Sequence, residues 1–173
     1  VLAVIKDAGL GADCVSGGEV EAAIKAGIAP SKVVFAGVGK ADWEINLGLD
    51  NDIFCFNVES IPELEVINEL AAGKVAKVGL RINPNVSANT HHYITTGLSE
   101  NKFGINMSEL DKVVDLFPTL ANIQLIGIHF HIGSQITDMT SFQGLCVRVN
   151  ELQDYFVARN ISLQHINVGG GLG

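Results

Sequence analysis

The chain has 173 residues, 47% of them hydrophobic and 17% charged, and its 11 Lys and Arg against 19 Asp and Glu give a formal charge of −8. That much apolar sequence excludes intrinsic disorder and points to one compact domain. The acidic balance, with cations scattered singly from Lys6 to Arg159, argues against nucleic acid as a partner, and no apolar run approaches the ~18 residues that a membrane-crossing helix needs.

In chain order, short β-branched runs alternate with helically patterned segments. The chain opens in a helix-like stretch, and a strand is expected over 11–16. A helix follows over 17–27, with Ser16 and Glu19 in capping-box spacing. Strands over 32–36 and 53–57 come next, then a helix over 61–72 with Ser60 and Glu63 in the same spacing, and a strand over 75–83. The stretch 84–107 has no clear periodicity, and a connection of that length is more often functional than idle. Ser108 is expected to cap a helix over 109–117, before a strand over 123–131, a long helix over 139–159 and a strand over 163–168. Strand, helix, strand without hairpin signals means parallel pairing through crossovers, hence an α/β fold, either doubly wound or a (β/α)8 barrel. Six strands are fewer than a closed barrel's eight, so two unpaired edges and an apolar lumen face are expected, together with truncation at both ends.

Several residues stand where chemistry is possible. Gly169-Gly170-Gly171-Leu172-Gly173 follows directly on the last strand. Such a turn offers backbone N–H groups to an anion such as phosphate, although a tight turn by itself needs the same glycines. His129 and His131 stand two apart at a strand end and are expected on one face, toward the lumen. Three readings fit them: a metal pair, a satisfied core histidine, or a ring stacked on a flat cofactor. The metal reading lacks further ligands, since only His91, His92 and His165 remain and no carboxylate cluster accompanies them. Ser134 reads as a phosphate donor or a turn residue. Arg81, a charge inside an apolar run, needs a partner or the barrel mouth. Asp13 poses the same question with opposite sign, or caps the helix that follows. Lys102-Phe103-Gly104 reads as part of a lid or as an ordered loop. Cys14, Cys55 and Cys146 are expected to be core thiols of a reducing, cytoplasmic compartment.

Five ordered motifs run the length of the chain: Gly9-Leu10-Gly11-Ala12-Asp13-Cys14-Val15-Ser16-Gly17-Gly18-Glu19, Leu80-Arg81-Ile82-Asn83-Pro84-Asn85-Val86, Tyr93-Ile94-Thr95-Thr96-Gly97 with Lys102-Phe103-Gly104, His131-Ile132-Gly133-Ser134-Gln135, and the terminal glycine turn. On these the chain resembles the pyridoxal-phosphate decarboxylases of the alanine-racemase-like barrel fold, the ornithine, arginine and diaminopimelate decarboxylase family, with wording closest to the diaminopimelate branch. The resemblance implies six strands, two to seven, of a pyridoxal-phosphate-binding barrel, a homodimeric cytoplasmic lyase, and conversion of meso-diaminopimelate to L-lysine and CO2 by the parent protein. It implies that His131 lies against the pyridine ring and that Ser134 with the amides of Gly169, Gly170 and Gly171 holds the phosphate. Asp13 and Arg81 would support the site nearby. No lysine matches the motif of the Schiff-base lysine, and the strand carrying the ring-nitrogen carboxylate and the C-terminal β-domain are also missing. The segment alone is therefore expected to be inactive. The alternatives are another basic amino acid decarboxylase of the same fold, a non-catalytic decarboxylase-like regulator, and a metal-dependent barrel hydrolase using His129 and His131.

Overall fold

The computed structural model describes residues 1–86 and 103–173. Six parallel strands run in sequence order along one sheet: β1 (Ala12–Cys14), β2 (Val33–Phe35), β3 (Cys55–Val58), β4 (Ala76–Asn83), β6 (Ile123–His129) and β7 (His165–Asn167). Five fall within their expected runs, and β3 overlaps its own but extends one residue beyond it, to Val58. A two-residue strand, β5 (Ile105–Asn106), pairs with the end of β4 and has no counterpart in the sequence reading. Helices α1 (Leu2–Asp7), α2 (Gly17–Lys25), α3 (Asp42–Asp50), α4 (Ile61–Leu70), α5 (Leu110–Leu116) and α6 (Thr140–Ala158) complete the chain.

The caps explain where the helices start. Ser16 and Ser60 accept from the N–H groups of Glu19 and Glu63, each at 3.3 Å, as expected. Helix α3 went unread because its N-cap is Ala41, which has no acceptor; Glu44 instead receives the N–H groups of Ala41 (2.9 Å) and of Gly17 on the preceding helix (2.7 Å). Ser108 is not the cap expected before α5. It lies inside a short 3-10 turn, and Glu109 reaches back to the N–H and side-chain amide of Asn106. Two candidates three and one residues before Glu109 compete, and only the spacing of three closes the reciprocal bond.

The core lies between the helices and the outer face of the sheet. Leu145, Leu152 and Phe156 of α6 are buried at helical spacing, and Ile45 and Leu49 of α3 do the same beside Phe56. A Cβ on Gly48 would stand 2.5 Å from the Phe56 ring, so glycine inside α3 lets that helix approach β3. Phe56 is thus on the outer face, and the period of two puts Cys55 and Asn57 on the concave one. Asn57 Oδ1 and Cys55 Sγ are indeed the nearest atoms to a Cβ built on Gly79, its partner in register.

Candidate functional site

The concave face carries a row of polar side chains at one level. Register pairs Arg81 of β4 with His129 of β6, and His129 with Asn167 of β7. Arg81 donates to Glu59, just past β3, at 2.6 Å. Asn167 Nδ2 donates to Asp13 of β1 at 3.2 Å, a bond between the two edge strands that requires the sheet to curl until its ends face each other. The row therefore reads Glu59, Arg81, His129, Asn167, Asp13, and the expectation of an apolar lumen face is corrected. The strands look uniformly apolar in sequence because their outward side chains and small residues dominate, while Asn57, Asn83 and His129 are buried by pairing and curvature.

His129 is 5% exposed, and its Nδ1 has no hydrogen-bond partner among the described residues. Burial and then the neighbouring Arg81 guanidinium push its pKa down to about 3, so the imidazole is neutral at ordinary pH. Burial also lowers the pKa of His165, which the Asp13 carboxylate partly opposes. Among the described residues no three His, Cys, Asp or Glu side chains converge as a metal site.

Beyond the strand ends, two loops are laced together by backbone. Phe130 N–H donates to the Asn167 carbonyl at 2.8 Å, Ile136 N–H to the Gly171 carbonyl at 2.8 Å, and Gly173 N–H to the Ile136 carbonyl at 3.0 Å. Contact is so close that a Cβ on Gly171 would lie 1.9 Å from the Gly133 carbonyl oxygen, and one on Gly169 would lie 2.3 Å from that of Phe130. Both have positive φ, 102° and 74°, so glycine is required on two counts. Gly169 N–H donates to Asn167 Oδ1 at 2.9 Å. Among the described residues, the N–H groups of Gly170 and Gly171 have no acceptor, and a Cβ on Gly170 would meet nothing within 4 Å. Ser134 is exposed in the facing loop, its Cα 3.6 Å from the Cβ position of Gly171.

Gly133 joins this turn to a cavity of about 260 Å³ walled by Arg81, Asn83, Phe103 and His131 among others. Arg81 lies 5.5 Å from the Phe103 ring centre, a cation–π distance. His131 stands past the end of β6, which closes at His129 rather than continuing through residue 131, and its imidazole is exposed at the mouth. The seven residues singled out from sequence, Asp13, Arg81, His131, Ser134, Gly169, Gly170 and Gly171, thus form one contiguous region at the C-terminal ends of the strands, where barrels of this kind place their sites. Asp13 does not cap α2; Ser16 does, and Asp13 turns to Asn167 instead. His91, His92, the motif 93–97 and Lys102 lie outside the described residues.

Three participants escaped the sequence reading. Glu59 holds Arg81 and receives support in turn, since its N–H donates to Glu63 Oε2 at 2.7 Å. Glu63 also binds Lys40 at 2.6 Å, and the Lys40 ammonium further donates to the carbonyls of Gly37 and Asn57. Asn167 links Asp13 to the glycine turn. The available signal was a carboxylate or amide at a strand end, which is too common to single out a residue.

The chain matches, over residues 1–173, the family described as pyridoxal-dependent decarboxylase, pyridoxal binding domain. It is 66% identical over 175 residues to a diaminopimelate decarboxylase of Bacteroides thetaiotaomicron, covering 100% of this chain and 45% of that protein. Among solved structures, diaminopimelate decarboxylase from Helicobacter pylori complexed with L-lysine superposes with a TM-score of 0.90 at 41% identity, over 99% of this chain and 44% of that one. The M. jannaschii diaminopimelate decarboxylase in complex with L-lysine gives a TM-score of 0.90 at 39% identity, over 99% of this chain and 41% of that one. The chain therefore spans less than half the length of the relatives it matches.

Proposed function

Because this chain belongs to the pyridoxal-dependent decarboxylases, matching their pyridoxal binding domain over residues 1–173, we propose that its full-length protein decarboxylates meso-diaminopimelate to L-lysine and CO2. The observation that carries the cofactor reading is the pair of N–H groups on Gly170 and Gly171 that have no acceptor among the described residues, in a turn braced against the Ser134 loop. Two amides and a hydroxyl suit a phosphate group. The cavity beside His131, lined also by Phe103, Pro84 and Ile132, suits an aromatic ring. The residues present therefore fit pyridoxal phosphate. The identity to the Bacteroides enzyme supports the substrate.

When bound, pyridoxal phosphate supplies an electron sink that eases loss of the substrate's α-carboxylate as CO2. This chain's part is to hold and orient. Ser134 and the amides of Gly170 and Gly171 would take the phosphate end; the amide of Gly169, expected from sequence to join them, is held by Asn167, so Gly169 contributes only its backbone path. His131 would lie against the ring, and Arg81, fixed by Glu59, walls the same cavity. Asp13 closes the opposite side of the lumen row. Lys40, with its side chain 1% exposed and three bonds already made, has no free amine to offer. The lysine that bonds the cofactor and the carboxylate facing the ring nitrogen are assigned to parts of the full-length protein outside this chain, as is a C-terminal β-domain. A homodimer in the cytoplasm completes the proposal.

The test is to purify the full-length protein, record its absorbance for bound pyridoxal phosphate, and measure CO2 release from meso-diaminopimelate, ornithine and arginine. Turnover with meso-diaminopimelate above the other two supports the proposal. A cofactor-loaded protein that prefers ornithine or arginine moves it to another basic amino acid decarboxylase, and a protein that takes up no cofactor overturns it.

A further inference from the structure

We propose that Asn167 is a positioning residue that couples Asp13 to the phosphate-side turn, an inference that rests on the functional reading above for its link to the cofactor. The geometry asks two opposite things of one side chain. Asn167 must accept from Gly169 N–H at 2.9 Å and donate to the Asp13 carboxylate at 3.2 Å. The backbone N–H can only donate and the carboxylate oxygen accepts, so the amide orientation is dictated: Oδ1 to the turn, Nδ2 to Asp13. A carboxylate at 167 meets the first demand and sets like charges side by side at the second. A hydrophobic residue meets neither.

Position gives the link its reach. Asn167 ends β7, its own carbonyl receives Phe130 N–H, and the glycine turn begins two residues on. Gly169 has φ 74° with the Phe130 carbonyl directly against its Cβ position, so its path is determined on one side by that carbonyl and on the other by the Asn167 amide. With Gly169 N–H taken, the N–H groups of Gly170 and Gly171 are those of the turn left without an acceptor among the described residues. The Asp13 bond spans 154 residues and fixes the amide against rotation. Asn167 therefore holds the first residue of the turn and the first strand of the sheet in one arrangement, and neither cofactor-side element is set independently of the other.

The test is a polarity swap in the full-length protein, read in two ways: hydrogen–deuterium exchange of peptides covering 168–173 in the cofactor-free protein, and the dissociation constant for pyridoxal phosphate. Asn167→Leu and Asn167→Asp are each expected to speed exchange of the turn and to weaken cofactor binding by on the order of tenfold. The double variant Asp13→Asn with Asn167→Asp restores the bond between positions 13 and 167 in reversed polarity, with residue 13 now donating, keeps the carboxylate at 167 as acceptor for Gly169 N–H, and should return the exchange of the turn to within about twofold of wild type. Should Asn167→Leu misfold, the swap pair still decides the matter. Single variants with wild-type exchange and affinity, or a double variant no better protected than Asn167→Asp, overturn the inference. If the wild type takes up no pyridoxal phosphate, the functional reading and the cofactor half of this inference both fall, while the exchange data still decide whether Asn167 holds the turn.

Discussion

Arg81 and Glu59 form an ion pair at 2.6 Å with side chains 13% and 6% exposed, and both belong to strands or strand ends that neighbour one another in the sheet. The second carboxylate oxygen of Glu59 has no partner among the described residues. Burying two charges is unfavourable until they meet, so the pair is far more sensitive to loss of one member than its net contribution suggests. Glu59→Ala leaves the guanidinium uncompensated beside neutral His129 and should destabilise the protein by about 3–5 kcal/mol. Glu59→Gln keeps an acceptor and should cost less. Urea unfolding measures both; an Ala variant within about 1 kcal/mol of wild type would show the pair to be solvated in solution.

Neighbouring glycines of the turn should behave in opposite ways. Gly171→Ala places a methyl group 1.9 Å from a backbone carbonyl at a φ of 102°, so the 131–136 loop must move away. Gly170→Ala meets open space. The first variant should lose cofactor binding and several degrees of thermal stability, whereas the second should keep its stability. Melting curves of the two, with and without pyridoxal phosphate, make the comparison; equal melting temperatures would mean that the two loops are not laced as described.

His129 predicts an acid weakness. Its pKa is depressed in the folded protein from 6.5 to about 3, so between those values the unfolded chain binds the extra proton and the folded one does not. The contribution of neutral His129 is present above pH 6.5 and is lost as pH falls toward 3, with a slope of at most about 1.4 kcal/mol per pH unit from this group. Unfolding free energy measured from pH 7 to pH 4 should therefore fall more steeply in wild type than in His129→Gln, which has no such proton to take. Parallel curves would remove His129 as the source.

The thiols differ in environment. Burial pushes Cys55 up to about 12 and, aided by Glu19 and Asp13, Cys14 up to about 11, and both are buried, while Cys146 is exposed on α6. Alkylation of the folded protein at neutral pH should modify Cys146 first. Peptide mass spectrometry gives the order, and early labelling of Cys55 would contradict its place under Gly79.

Much of the fold was legible because it is written locally. Runs such as 123–129 and 75–83 carry enough β-branched and aliphatic residues to read as strands, and Ser16 and Ser60 announce their helices with a glutamate three residues on. Helix α3 was not legible, because an alanine cap carries no signal and its brace comes from Glu44 reaching another helix as well as its own. The site divides in the same way. His131, Ser134 and the glycine turn stand in compact motifs at strand ends, whereas Glu59 is 22 residues from Arg81 and Asn167 is 154 from Asp13.

By itself, then, the order of residues determined an alternating α/β chain with parallel strands, a glycine turn open to an anion and a histidine at a strand end, since each depends on side-chain period or backbone freedom within a few residues. Tertiary structure alone decided that Glu59, Arg81, His129, Asn167 and Asp13 share one concave row and that Asn167 answers to both Asp13 and Gly169. Register between distant strands is set by how the outer faces pack on the helices and how far the sheet curls, and no local pattern encodes which polar groups that curvature brings together.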